Sequence, residues 1–168
     1  MDIKELHRIG CEYSVDQILK HGSLLTSFFL VPWVDDKDKD SKKEMSLIAT
    51  PWQHWSEKPA YIAGIRAMLA EFNIDYYTFV TEAWMAVVDV RTQPELMDVA
   101  PRDRSQREDI LFVNSRHRNG ECHTTKYTVE YDANGKVTLS PPEQLDFEMT
   151  GLMGNLYDDE EPVMATGA

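Results

Sequence analysis

The sequence predicts an α+β fold: a mostly antiparallel sheet of five or six strands, with two or three helices mainly on one face. Three observations lead there. Two segments carry apolar residues at helical spacing, around residues 3–21 and 61–72. Six shorter runs, 24–34, 44–50, 75–88, 109–116, 121–132 and 136–140, read as strands. Asn119-Gly120 and Asn134-Gly135 stand between such runs, and Asn-Gly is a strong hairpin signal that makes the second half of the chain antiparallel. The predicted order is α-β-β-α-β-β-β-β. With 168 residues, one domain can bury a full core without metals or disulfides.

Each element has its own warrant. Ile3, Leu6 and Ile9 recur every three residues until Gly10, and Ser14 to Gln17 has the form of a capping box. Lys20, His21 and Gly22 then read as a helix stop, so the first unit is one kinked helix or two short ones. The runs 24–34 and 44–50 form a hairpin around a loop of alternating acids and lysines. Ser56 reads as a cap, and Tyr61, Ile65, Met68, Leu69 and Phe72 form the apolar stripe of a second helix that stops at Asn73. Residues 75–88 are apolar on both faces, which predicts a central strand. A polar loop of about twenty residues follows, long enough to suggest function. The meander then ends at Pro141-Pro142.

The charge is uneven. There are 29 acids against 17 Lys and Arg, a formal charge of -12. Residues 143–168 hold seven acids and no Lys or Arg, so more than half the imbalance lies there. This divides the chain into a domain at 1–142 and an acidic tail at 143–168, expected to be extended or disordered and docked at most at its start. A chain this acidic is a poor generic binder of nucleic acid or of anionic membranes. No apolar run approaches the ~20 residues of a membrane helix, and no secretory signal is visible. Cys11 and Cys122 share no motif. The expected setting is the cytoplasm, without a disulfide.

Few residues point to chemistry. Asp36, Asp38 and Asp40 start like a calcium loop, but Ser41 and Leu47 stand where that loop needs Gly and Glu. His117, Cys122 and His123 flank one hairpin, yet Cys122 and His123 point to opposite faces, so no metal and no cofactor is expected. Glu82 is the candidate catalytic residue: between Val80 and Trp84 it sits in an apolar neighbourhood that would raise its pKa and suit acid/base work. Its bland alternative is an ion pair with Lys126. Arg102, Arg104 and Arg107 could clamp an anion or a partner, or merely pair with Asp103, Glu108 and Asp109. Trp52 and Trp55 either cap the core or form a contact surface, and Trp84, with Glu82 on the strand adjoining the arginines, is a third candidate for binding.

The strand Thr81-Glu82-Ala83-Trp84-Met85, the loop with Pro101, and Arg107-Glu108-Asp109-Ile110-Leu111 resemble a pattern in small uncharacterised bacterial and phage proteins: an (S/T)-E-A-W strand followed by an R-x-E segment. The resemblance spans about thirty-five residues. It implies no activity, only a microbial or viral accessory protein, working in the host cytoplasm if phage-encoded. The leading expectation is a non-enzymatic protein that binds a protein partner, since no catalytic signature is present. The second is an enzyme acting on a small anionic substrate, with Glu82 as acid/base and Arg102, Arg104 or Arg107 holding the anion. The third is a structural component that forms a homo-oligomer.

Overall fold

The computed structural model describes residues 1–33, 44–52, 54–85, 91–95, 108–146 and 154–157. Its elements run α1 (Ile3–His21), β1 (Ser27–Pro32), β2 (Ser46–Ala49), a 3-10 turn (Trp55–Glu57), α2 (Lys58–Glu71), β3 (Ile74–Met85), β4 (Glu108–His117), β5 (Cys122–Tyr131), β6 (Val137–Leu139) and β7 (Glu143–Gln144). The α+β class and the element order agree with expectation. The sheet has seven strands, in the order β2-β1-β3-β4-β5-β6, with β7 also paired to β5. Every pairing is antiparallel. β2 and β3 therefore run the same way on either side of β1, and α2 joins them. β3 is central, with β1 on one side and β4 on the other.

α1 is one continuous helix. Asp2 caps it through Glu5 N–H at 2.9 Å, and Gly22 ends it at φ 74° with its N–H on the Ile18 carbonyl. The buried stripe is Ile3, Leu6, His7, Gly10, Ser14 and Ile18. Gly10 breaks nothing. It lets the helix lie against β3, because a Cβ there would stand 2.7 Å from Thr78 Cγ2. Ser14 is no cap: it is buried inside the helix, and its hydroxyl donates to the Cys11 carbonyl at 3.0 Å.

The helices do not share a face. α1 packs on the side of Phe29, Val31, Tyr76, Val80, Leu111 and Val113. α2 packs through Ile62, Ile65 and Leu69 on the side of Phe28, Leu30, Tyr77, Phe79 and Phe112. Strand residues alternate between these clusters, so each helix covers one surface of the same central strands. The two-sided apolar pattern of β3 requires this, and it overrides the expectation of helices mainly on one face. The α2 stripe is also rotated: Ile62 is buried, whereas Tyr61 and Phe72 are exposed. Ser56 does not cap α2, whose N-cap position is Glu57 with no side-chain cap bond.

Both Asn-Gly hairpins form, but neither as a type I′ turn. Only the glycines have positive φ, 101° at Gly120 and 78° at Gly135. Gly120 N–H bonds the His117 carbonyl, and His117 N–H bonds the Glu121 carbonyl. Asp132, Gly135 and Lys136 repeat the pattern, the three-residue loop that ends on a left-handed glycine. Parts of the segment expected as a tail touch the domain. Glu143–Gln144 pairs with Thr125–Lys126. Leu156 is buried in the α2-side cluster, and its N–H donates to Tyr77 Oη at 3.3 Å. Tyr157 donates to the Ile74 carbonyl at 3.1 Å.

Candidate functional site

The site follows from a mismatch of lengths. β3, at 12 residues, spans about 40 Å, whereas α1, at 19 residues, spans about 28 Å. The helix starts beside Tyr76, whose hydroxyl donates to the Met1 carbonyl, and runs out before β3 does. Past its end no described helix lies over the face, and Glu82 and Trp84 of β3 are exposed. The register brings Asp109 of β4 opposite Trp84. Tyr131, two residues past buried Val129, is the last residue of β5. By strand alternation Glu82, Trp84, Asp109, Val129 and Tyr131 all lie on this one face.

Together they line an open pocket of about 300 Å³. Its rim is aromatic, with Trp84 48% and Tyr131 53% exposed. Its charge is negative. One Glu82 oxygen accepts the Leu24 N–H at 3.1 Å, which fixes the carboxylate beside the end of α1. Partial burial pushes the Tyr131 phenol up, and the charges of Glu82 and Asp109 push it the same way. Neither carboxylate has an ion-pair partner among the described residues. A second concavity, about 520 Å³, lies between β2 and α2 over Ile48, Tyr61, Ile65 and Met68. Among the described residues its lining carries no charge.

Of the sequence candidates, Glu82 and Trp84 therefore meet in one pocket. The proposed Glu82–Lys126 pair does not form. Lys126 opposes Phe112, and Phe112 opposes Thr81, so Lys126 is on the α2 face. There it is buried and held by Glu108 at 3.2 Å and Glu143 at 3.4 Å. Nor is Glu82 in an apolar neighbourhood; it is exposed. Trp52 is remote from this pocket. It packs on the α2-side cluster, 6.0 Å from the Tyr61 ring, with Lys58 Nζ 5.8 Å from its centroid. Arg102, Arg104 and Arg107 lie outside the described residues, as do the side chain of Trp55 and the acids Asp36, Asp38 and Asp40.

The sequence reading missed Asp109 and Tyr131 as site residues. Both were visible as strand ends, but pairing register alone decides which ends adjoin. It also missed His7. Under α1, His7 Nδ1 meets Ser115 Oγ at 2.6 Å and Nε2 meets Thr125 Oγ1 at 2.8 Å. Thr125 donates onward to Gln144 Oε1 at 2.9 Å, so Nε2 carries the proton and Nδ1 accepts from Ser115. Thr78 in turn bonds Ser115. Burial, and to a lesser extent His123, lowers the His7 pKa to about 4. A serine bonded to a histidine has the outline of a nucleophile pair, but Ser115 is fully buried beneath the helix and has no access to substrate. The network is structural.

His117 and His123 turn to different carboxylates, Asp75 at 3.4 Å and Glu121 at 3.0 Å. Among the described residues no group of three or more His, Cys, Asp or Glu could hold a metal ion, and no helix is long and apolar enough to cross a membrane. Compared with known proteins, the chain matches no family model, no curated protein and no solved structure.

Proposed function

We propose that the chain is a non-enzymatic accessory protein that binds a protein partner through the exposed residues at the end of β3, β4 and β5. The observation that carries this reading is the pocket in which two half-exposed aromatic residues stand beside two carboxylates that have no ion-pair partner among the described residues. Exposed Trp and Tyr beside satisfied backbone are the residues that most often anchor protein contacts. The sheet beneath them is rigid, with β3 and β4 paired through to Met85 and Glu108. Enzymatic use of Glu82 would need a cation to hold an anionic substrate, and the candidates for that role, Arg102, Arg104 and Arg107, lie outside the described residues. Free thiols at Cys11 and Cys122 suit a reducing compartment, so the partner is sought in the cytoplasm.

A photo-crosslinking phenylalanine analogue at position 131 of the full chain tests the reading in a lysate of the source cell. The expected result is one dominant crosslinked protein, lost on Trp84→Ala and absent when the probe sits at Lys136. Equal labelling from positions 131 and 136 would refute it.

A further inference from the structure

We infer that β2 is a dimerisation edge and pairs antiparallel with β2 of a second copy of the chain, about a twofold axis at Ile48. The contact is separate from the pocket at Tyr131. β2 is the outermost described strand on its side of the sheet. Its residues are open to solvent: Ser46, Leu47 and Ala49 are exposed, Leu47 at 48%. The register decides which amides face outward. Thr50 N–H bonds the Thr26 carbonyl, so Thr26 with Thr50, Phe28 with Ile48 and Leu30 with Ser46 are the hydrogen-bonded pairs of β1 and β2. Leu47 and Ala49 alternate with these, and their N–H and C=O groups point away from β1. Sheet edges are commonly blunted by Lys, Pro or a bulge. Between Ser46 and Ala49 there is no charge and no proline.

The occupant follows from charge and shape. Each copy carries a formal charge of -12, and a twofold contact sets like against like, so a self-contact needs an uncharged surface. Residues 45–56 hold no Asp, Glu, Lys or Arg. The concavity of about 520 Å³ beside β2 is apolar, lined by Ile48, Tyr61, Ile65 and Met68. A strand added at this edge must be apolar on both faces. β2 itself meets that requirement: Leu47 opposes Phe29 of the α1-side cluster, and Ile48 opposes Phe28 of the α2-side cluster. Centring the pair on Ile48 sets Leu47 of each copy against Ala49 of the other, and these are the residues of β2 with outward amides. Each such match exchanges both backbone hydrogen bonds. The large Leu47 then lies beside the small Ala49 on one face. On the other face the two Ile48 side chains meet, and the two apolar concavities join across the axis. The contact is short, so the dimer falls in the weak class, with a dissociation constant on the order of micromolar or above.

The test is sedimentation of the full-length chain from about 5 μM to about 500 μM, with amide exchange read by NMR at both ends of that range. The mass should rise from monomer toward dimer. The Leu47 and Ala49 amides should exchange more slowly as dimer forms, while Ile48 and Thr50, already bonded to β1, should change far less. Ala49→Pro removes an outward donor and leaves the bonds to β1 in place, so it should weaken the dimer about tenfold or more. Leu47→Lys sets two like charges near the axis and should do the same. Unchanged protection of Ile48 and Thr50 in both variants certifies that the β1–β2 pairing is intact. A monomer at every concentration would overturn the inference. So would a dimer that both variants leave unaffected, since its interface lies elsewhere. Full protection of Leu47 and Ala49 at the lowest concentration, in a monomer, would mean that the edge is covered within the chain. Protection that appears only when unlabelled cell lysate is added would give the edge to another protein. Either result would also overturn it.

Discussion

At the scale of single residues, His7 shows how a polar side chain can occupy a core stripe. It continues the buried face of α1 one residue after Leu6, and both ring nitrogens find hydroxyls on the sheet. The neutral ring suits this network. Unfolded, an imidazole binds its proton below about 6.5; folded, His7 binds it only below about 4. The unfolded state therefore holds more protons between these values. Stability is full above 6.5 and falls as pH drops through that window, by an amount on the order of 3 kcal/mol. Urea unfolding at pH 7, 5.5 and 4.5 should show this loss in the native chain and a much flatter profile in His7→Gln. Gly10 offers a second prediction. An alanine there gains about 1 kcal/mol of helix propensity but pushes its methyl into Thr78 Cγ2, and overpacking costs about 1–3 kcal/mol. Gly10→Ala should be net destabilising, and adding Thr78→Ser, which removes that methyl and keeps the hydroxyl, should recover stability. A double-mutant cycle reads the coupling directly. Neither residue's role was legible beforehand. Gly10 looked like a weak point of a helix, because the strand it touches lies nearly seventy residues further on.

At the scale of elements, apolar spacing and turn chemistry placed every strand from β1 to β6 within a few residues of its true ends. β7 escaped because two residues carry no period; β5 supplies the pairing. The turn positions were readable and the turn type was not, since Asn-Gly serves both the two-residue and the three-residue loop. Gly135→Ala should cost about 1 kcal/mol or more, because φ there is 78°, whereas Asn134→Ala should cost less. The segment Gly154–Tyr157 behaves as part of the fold. Leu156 is 3% exposed between α2 and β3, and Arg66 Nη1 donates to its carbonyl at 3.3 Å. Leu156→Ala should destabilise by about 2–4 kcal/mol in chemical denaturation, with the denaturant slope unchanged.

At the scale of the whole molecule, the net charge of -12 implies self-repulsion in the compact state. Raising salt from about 20 mM to about 300 mM, which shortens the Debye length to several ångströms, should raise the melting temperature. An unchanged melting temperature would mean that the charges are too far apart to interact. The class and strand order were legible because both follow from local pattern. The site was legible only by half, in Glu82 and Trp84, because its other members adjoin through register, a property of strand pairs. The placement of α1 has a temporal consequence. His7 bonds residues 108 and 118 positions further along the chain. On a ribosome, α1 emerges before the sheet, and its apolar stripe is fully covered only once β3, β4 and β5 have been made. Such long-range closure slows folding and prolongs exposure of sticky surface. A helix made before the strands it packs on is among the last pieces to find its seat, so nascent-chain aggregation should depend on α1 more than on the described elements that follow it.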